Sequence, residues 1–249
     1  MVLVKACLNG ARHPSEHPLL PVTPAELAAD VGAVTAVGAG AVHLHVKDVE
    51  GADTFDGLAL ADVLRAVRSA SPNIPLGVTT GAWVLPDPAE RVAAIRRWMV
   101  LPEFASVNWH EPGADAVAAA LLERGVGVEA GLWHAEAVLA WLASPVRDQC
   151  FRVLIELPDG LEAAKTVVEA DHLINLINDG MQDSAADVRV LRHGEGTSCW
   201  PALMHAGRRG LSTRIGLEDV LTLPDGDPAP DNASLVAAAI DLLRPCRVS

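Results

Sequence analysis

His43 and His45 stand one residue apart in AVHLHVKD (Ala41 to Asp48), where Val42, Leu44 and Val46 supply the alternation of a buried strand. Side chains two apart on a strand share a face. The two imidazoles therefore point together, and the three aliphatic side chains point away. A pair of core histidines hydrogen-bonded to neighbours is the plain alternative. Two imidazoles with one spacer also form a chelate, and neutral imidazole suits zinc, iron and copper. A second polar strand, STRIGLED (Ser212 to Asp219), sets Arg214, Gly216 and Glu218 on one face. Two histidines and Glu218 would leave a coordination position for water or substrate. A buried glutamate without a partner is costly. A metal would satisfy Glu218, and so would Arg214, which could instead pair with Asp219. Glu218 and Asp219 are adjacent, so both can serve one site only if the strand ends near Glu218 and the chain turns. Asn9, Thr79, Ser106, Asn108 and Glu129 mark other strands. Each could be a turn former or a satisfied core polar group; together they would surround one rim as a substrate pocket. His13, His17, His110, His134, His172, His193 and His205 show no metal spacing, although His110 and His193 fall near strand ends.

A scaffold must bring these residues to one rim, and the chain alternates short β-rich runs with helical patterns. Val2 to Leu8 reads as a strand and Thr23 to Ala36 as a helix, with Thr23 as N-cap, Pro24 first and Glu26 closing a capping box. AVHLHV is followed by a helix over Leu58 to Ser69, and PLGVTT by the helical PDPAERVAAIRRW, acids first and bases last. FASVNW precedes a helix over Ala114 to Arg124, and GVEAGL one over Ala135 to Ala143. CFRVLIEL precedes Leu161 to Ala170, DVRVLRH a helix near Ser198 to Gly207, and STRIGL a last helix over Asn232 to Leu243. Eight such units predict an α/β fold, a parallel (β/α)8 TIM barrel formed as one catalytic domain over residues 1–249. A doubly wound open sheet is the alternative, but the glycine-rich G-x-G-x-x-G turn it favours is missing. In a barrel the helix-facing side is apolar, so the histidines face the interior. Strands two and eight feed the same interior layers, which lets Glu218 approach them.

Composition narrows the partners. The chain has 249 residues, half of them hydrophobic, and a formal net charge of −13. That balance disfavours nucleic acid, whose binding needs basic surface. No apolar stretch approaches the ~20 residues of a membrane span, and no secretory signal is apparent, so a cytoplasmic location is expected. Cys7, Cys150, Cys199 and Cys246 form no C-x-x-C pair, which excludes a zinc ribbon or dithiol redox motif.

The segments LNGA with PVTPAEL, GAVHLHVKD, VTTGA, PEFASVN, GVGVEAGL and RIGLEDV occur in this order over Leu8 to Val220. In them the sequence resembles the β-keto acid cleavage enzymes, with HLHVKD and RIGLED the most specific. The resemblance implies a (β/α)8 barrel with catalytic zinc bound by His43, His45 and Glu218. It implies Asp219 as catalytic base, with Arg214 and Glu129 supporting it, Thr79 near substrate, and Ser106 or Asn108 as a further contact. The implied reaction takes a β-keto acid and acetyl-CoA, as co-substrate, to acetoacetate and a new acyl-CoA. A homo-oligomer is also expected, with Trp83 and Trp133 near rim loops. Departures are Arg12, where many relatives carry Glu, LIELPDG in place of a glycine-rich segment after strand six, and Trp109 and His110 in place of smaller residues. Two rival readings are a metal-dependent hydrolase barrel and a non-catalytic metabolite-binding barrel. The hydrolase usually carries histidines on strands five and six, and this chain has none there.

Overall fold

A computed structural model describes residues 2–182 and 188–244; Cys246 lies outside the described residues. Eight parallel strands close into one barrel in chain order. They are β1 (Val4–Cys7), β2 (Ala41–Leu44), β3 (Leu76–Thr79), β4 (Phe104–Asn108), β5 (Gly127–Leu132), β6 (Arg152–Leu157), β7 (Val190–Gly194) and β8 (Ser212–Ile215). The intervening helices are α1 (Pro24–Ala36), α2 (Gly57–Ala70), α3 (Pro88–Arg97), α4 (Ala114–Glu123), α5 (Ala135–Leu142), α6 (Ala163–Gly180), α7 (Cys199–Arg208) and α8 (Asn232–Leu243). The expected (β/α)8 architecture is therefore present. Among the described residues no helix is long and apolar enough to cross a membrane.

Local chemistry accounts for most boundaries. Thr23 caps α1 through the expected reciprocal box with Glu26. Asp87 caps α3, with Pro88 at its first position and Arg96 and Arg97 in its last turn. The sixth helix runs ten residues beyond the expected Ala170, to Gly180. Its buried Thr166, Ala170, Leu173 and Ile177 continue at helical spacing past the polar Asp171 and His172. The eighth strand ends at Ile215, earlier than expected, so the alternation of Arg214, Gly216 and Glu218 does not hold across a regular strand. Asp219 N and Val220 N both donate to Gly216 O, which turns the chain. Gly216 is required there, because a Cβ would lie 1.9 Å from Cys7 O on the neighbouring β1.

The layers follow from the alternation. Val42, Leu44 and Val46 join the apolar shell between strands and helices, while His43 turns inward beside Cys7 of β1 and Gly77 of β3. The interior is not purely apolar. Glu129 of β5 pairs with Lys5 of β1 across the barrel and with Arg152 of β6 at 2.6 Å. The Phe104 ring lies under both cations, 5.7 Å from Lys5 Nζ and 5.5 Å from Arg152 Cζ.

Candidate active site

A cavity of about 450 Å³ opens at the C-terminal ends of the strands, where barrel sites form. His43, His45, Thr79, Ser106, Asn108, Arg214, Glu218 and Asp219 all line it. One ligand atom from each of His43, His45 and Glu218 falls within 4.8 Å of the others, so the three could hold a metal ion. The structure brings eight of the ten expected residues together. Asn9 and Glu129 are not in that lining.

Asn9 instead holds the backbone of the candidate metal ligand His45. The second strand stops at Leu44, and His45 follows it. Asn9 Oδ1 accepts from His45 N at 2.8 Å, and its Nδ2 donates to His45 O at 3.0 Å. One amide thus replaces a strand neighbour and keeps His45 extended beside His43, with ring centroids 5.3 Å apart. Glu129 is sealed among Lys5, Arg152 and Phe104. Burial alone would raise its carboxyl, but the two cations outweigh that and hold it down at about 2. No hydrogen bond or ion pair joins it to Asp219 among the described residues.

Protonation favours metal binding. Burial lowers His43 to about 3, so its imidazole is neutral, the form that binds metal. Its Nδ1 is buried without a hydrogen-bond partner. His45 Nδ1 lies 2.8 Å from Asp53 Oδ2, which leaves Nε2 as its free nitrogen. Trp83 Nε1 donates to the same Asp53 oxygen at 2.8 Å, and the indole stacks on the His45 ring at 5.9 Å. Lys47 Nζ sits 2.6 Å from Asp53 Oδ1 and donates to Gly10 O, tying the first two strand-helix loops together. Burial would raise the Asp53 carboxyl, but His45, Lys47 and Trp83 outweigh it and hold it at about 2.

Arg214 gives the two neighbouring carboxylates different states. Its Nη2 donates to Glu218 Oε1 at 2.9 Å and to Asp219 Oδ1 at 2.7 Å, and its Nε reaches the same Asp219 oxygen at 3.1 Å. Glu218 Oε2 and Asp219 Oδ2 are then buried with no partner. Burial opposes the charge on Glu218, yet Arg214 and the two imidazoles outweigh it and hold its carboxyl well below the usual range. At Asp219 burial wins over Arg214, and its carboxyl is raised. Orphaned buried acceptors are rare in folded proteins. Here His43 Nδ1 and Glu218 Oε2 are both orphaned in the same donor set, so these residues fit a metal.

Other residues in and around the cavity lie beyond the ten expected ones. The alternation that gives His43 and His45 extends to Lys47. On β6, Arg152, Leu154 and Glu156 share a face, which makes Glu156 an inward carboxylate at a strand end by the same rule as Glu129. Glu156 Oε2 lies 3.0 Å from His193 Nε2, and His193 Nδ1 lies 3.5 Å from Asp219 Oδ1. Asp53 and Glu195 sit in loops, where no periodicity points to them.

The sequence matches the profile of the beta-keto acid cleavage enzyme family over residues 1–247. A 3-keto-5-aminohexanoate cleavage enzyme from Acetoanaerobium sticklandii is 22% identical over 262 residues, 98% of this chain and 92% of that protein. One from Fusobacterium nucleatum subsp. nucleatum is 29% identical over 108 residues, 43% of this chain and only 39% of that protein. Among solved structures, ObcA in binary complex with oxaloacetate superposes with a TM-score of 0.70 at 17% identity, covering 90% of this chain and 63% of ObcA. The ternary complex of ObcA with a C4-CoA adduct and oxalate gives 0.70 at 18% identity, covering 91% and 64%. This chain thus spans less than two thirds of ObcA, and the likeness to it is one of fold.

Proposed function

The chain belongs to the beta-keto acid cleavage enzyme family, and from that premise we propose that it is a zinc-dependent acyltransferase. It converts a β-keto acid and acetyl-CoA into acetoacetate and the CoA ester of the remaining acyl group. One observation carries this reading. A single guanidinium, Arg214, leaves one free oxygen on Glu218, facing a two-histidine chelate, and one free oxygen on Asp219. Bound by His43, His45 and Glu218, zinc would supply Lewis acidity that makes the carbon between keto and carboxylate groups acidic.

Asp219 Oδ2 takes the proton from that carbon. Arg214 holds the opposite oxygen of Asp219, so the base stays aimed into the cavity. Thr79, Ser106 and Asn108 offer polar groups that orient the substrate along the β3–β4 wall. Asn108 is itself fixed, because its Nδ2 donates to Glu111 at 2.9 Å and its Oδ1 accepts from Trp133. The carbanion attacks the acetyl thioester and expels CoA thiolate. The thiolate takes the other acyl group as the carbon–carbon bond to acetoacetate breaks, and Asp219 returns its proton. Support comes from family membership and from the paired free oxygens. Acetoacetate release from a panel of β-keto acids with acetyl-CoA tests it, alongside metal content of the purified protein. No acetoacetate from any acid would overturn the reaction.

We also propose a homo-oligomer; Trp83 and Trp133 both line the cavity, and Trp83 keeps 51% of its surface exposed there. Light scattering at micromolar concentration is expected to give a multiple of the 26.1 kDa chain mass. A monomer mass would reject it.

A further inference from the structure

Resting on the reading of Asp219 as the base, we propose that His193 is a positioning residue for it, with its tautomer set by Glu156. His193 Nδ1–H donates to Asp219 Oδ1 and so holds Oδ2 towards the substrate carbon. Arg214 does not do this alone. Its Nε and Nη2 both fall on Oδ1, at 3.1 and 2.7 Å. A guanidinium forked across both carboxylate oxygens would fix the plane of the group. Two donors on one oxygen leave the carboxylate free to pivot about it, and a donor from another direction stops that pivot. Asp219 follows β8, and the adjoining β7 carries His193, whose Nδ1 lies 3.5 Å from the same Oδ1. That nitrogen is buried with no hydrogen-bond partner, on a side chain 1% exposed. Catalytic hydrogen bonds are often long in an enzyme without substrate and tighten in the complex. Glu156 and Asp219 both line the cavity, and the imidazole joins them from behind.

The ladder supplies the partner that sets the tautomer. Glu156 of β6 stands directly beside His193 of β7, so both side chains point inward at one level. Glu156 Oε2 lies 3.0 Å from His193 Nε2. Burial lowers His193 to about 3, which keeps its ring neutral. A neutral imidazole carries one proton, so the state of Glu156 decides which nitrogen holds it. Burial pushes Glu156 up to about 7; Arg214 and Lys5 oppose the rise, and Glu129 and Glu218 add to it. Glu195, in the loop after β7, is raised by burial to about 7 as well and repels charge on Glu156. While Glu156 is protonated, its Oε2–H donates to Nε2, and Nδ1 carries the ring proton towards Asp219. Once it ionises, its carboxylate accepts from Nε2–H, and a bare Nδ1 lone pair faces Oδ1.

The test separates the two contacts by substitution, with acetoacetate formation as the readout. His193→Leu is expected to lower kcat ~10–100-fold, the range of a hydrogen bond to a charged group. KM for the β-keto acid should change little, because the contact acts on the base and not on substrate binding. Glu156→Leu is expected to lose a similar amount, and the double variant little more, because the two residues act in one chain. His193→Asn presents an amide N–H near the place of Nδ1, and Glu156→Gln replaces the carboxyl proton with an amide N–H. Each is expected to restore most of the kcat that its leucine variant loses. Wild-type kcat should fall as pH rises past about 7, and Glu156→Gln should hold its kcat there. If acetoacetate forms but His193→Leu leaves kcat unmoved, or Glu156→Gln loses as much as Glu156→Leu, the positioning role is wrong and the reaction stands. If no acid yields acetoacetate, the reaction fails, and NMR of the His193 ring nitrogens decides the hydrogen bond alone. A protonated Nδ1 whose signal shifts in Asp219→Asn supports it, and a bare Nδ1, or a signal indifferent to Asp219→Asn, overturns it.

Discussion

Arg214 shows how much of the site rests on single atoms. It holds one oxygen of Glu218 and one of Asp219, and the oxygens it leaves free are the proposed ligand and base. Asp219→Asn keeps size but removes the basic oxygen. Zinc is expected to remain, by metal analysis, while acetoacetate formation falls ~10²-fold or more. Glu218→Gln is expected to weaken zinc itself, because a neutral amide is a poorer ligand than carboxylate. The reverse pattern would assign the two roles backwards. Asp53 is a quieter case. It accepts from His45 Nδ1–H and so fixes the tautomer that leaves Nε2 for metal. Asp53→Asn can present an N–H to that nitrogen instead, and zinc affinity, read by competition with a chelator, is expected to fall ~10–100-fold. The grouping of His43, His45 and Glu218 was legible because two lie on one alternating face and the third follows a polar strand. Asp53 was not, because a loop has no period and the contact joins residues that only folding brings together.

At the scale of elements, the eight units are readable because each carries its own punctuation. Thr23, Asp56 and Asp87 cap helices, and apolar runs bounded by glycine or proline mark strands. Two boundaries resisted, for physical reasons. Asp171 and His172 suggest an end to α6, but polar residues on the outer face do not stop a helix whose inner face continues to Ile177. The short β8 is set by the close approach of Gly216 to Cys7 O, a tertiary contact with no local signature. That corner is also held by Asn232, 1% exposed at the start of α8. Its Oδ1 accepts from Leu217 N at 2.7 Å, and its Nδ2 donates to Leu8 O at 2.9 Å and to Asp30 at 2.7 Å. One side chain joins the ends of β1 and β8 to α1 and α8, next to Glu218. Asn232→Ala strands a buried N–H and a buried carbonyl, each worth ~1–3 kcal/mol. A loss of ~2–4 kcal/mol is expected in chemical denaturation, with zinc affinity reduced because Leu217 carries Glu218. A change below ~0.5 kcal/mol would mean that water replaces the amide.

Over the whole molecule, the candidate metal site links an early and a late part of the chain. His43 and His45 come from β2, Glu218 follows β8, and β1 lies between those strands in the closed barrel. Closure depends on β1 pairing with both neighbours, with Lys5 opposite Ala41 on one side and Arg214 on the other. In the unfolded chain the three proposed ligands are far apart, so zinc bound there would favour the native state and stabilise it by mass action. At a hundredfold excess over its dissociation constant the gain is ~2.7 kcal/mol. For a chain of this size that corresponds to roughly 5–10 °C in Tm. The acidic balance of −13 offers many weak carboxylate sites to any divalent ion, so calcium at equal ionic strength is the control. Zinc should raise the melting temperature of chelator-treated protein where calcium does not, because two imidazoles favour zinc and calcium prefers oxygen ligands. The gain should largely disappear in Glu218→Gln, which removes the ligand from the β8 side of the closure. A zinc gain that survives that substitution, or one that calcium matches, would place the stabilising ion outside the site formed by His43, His45 and Glu218.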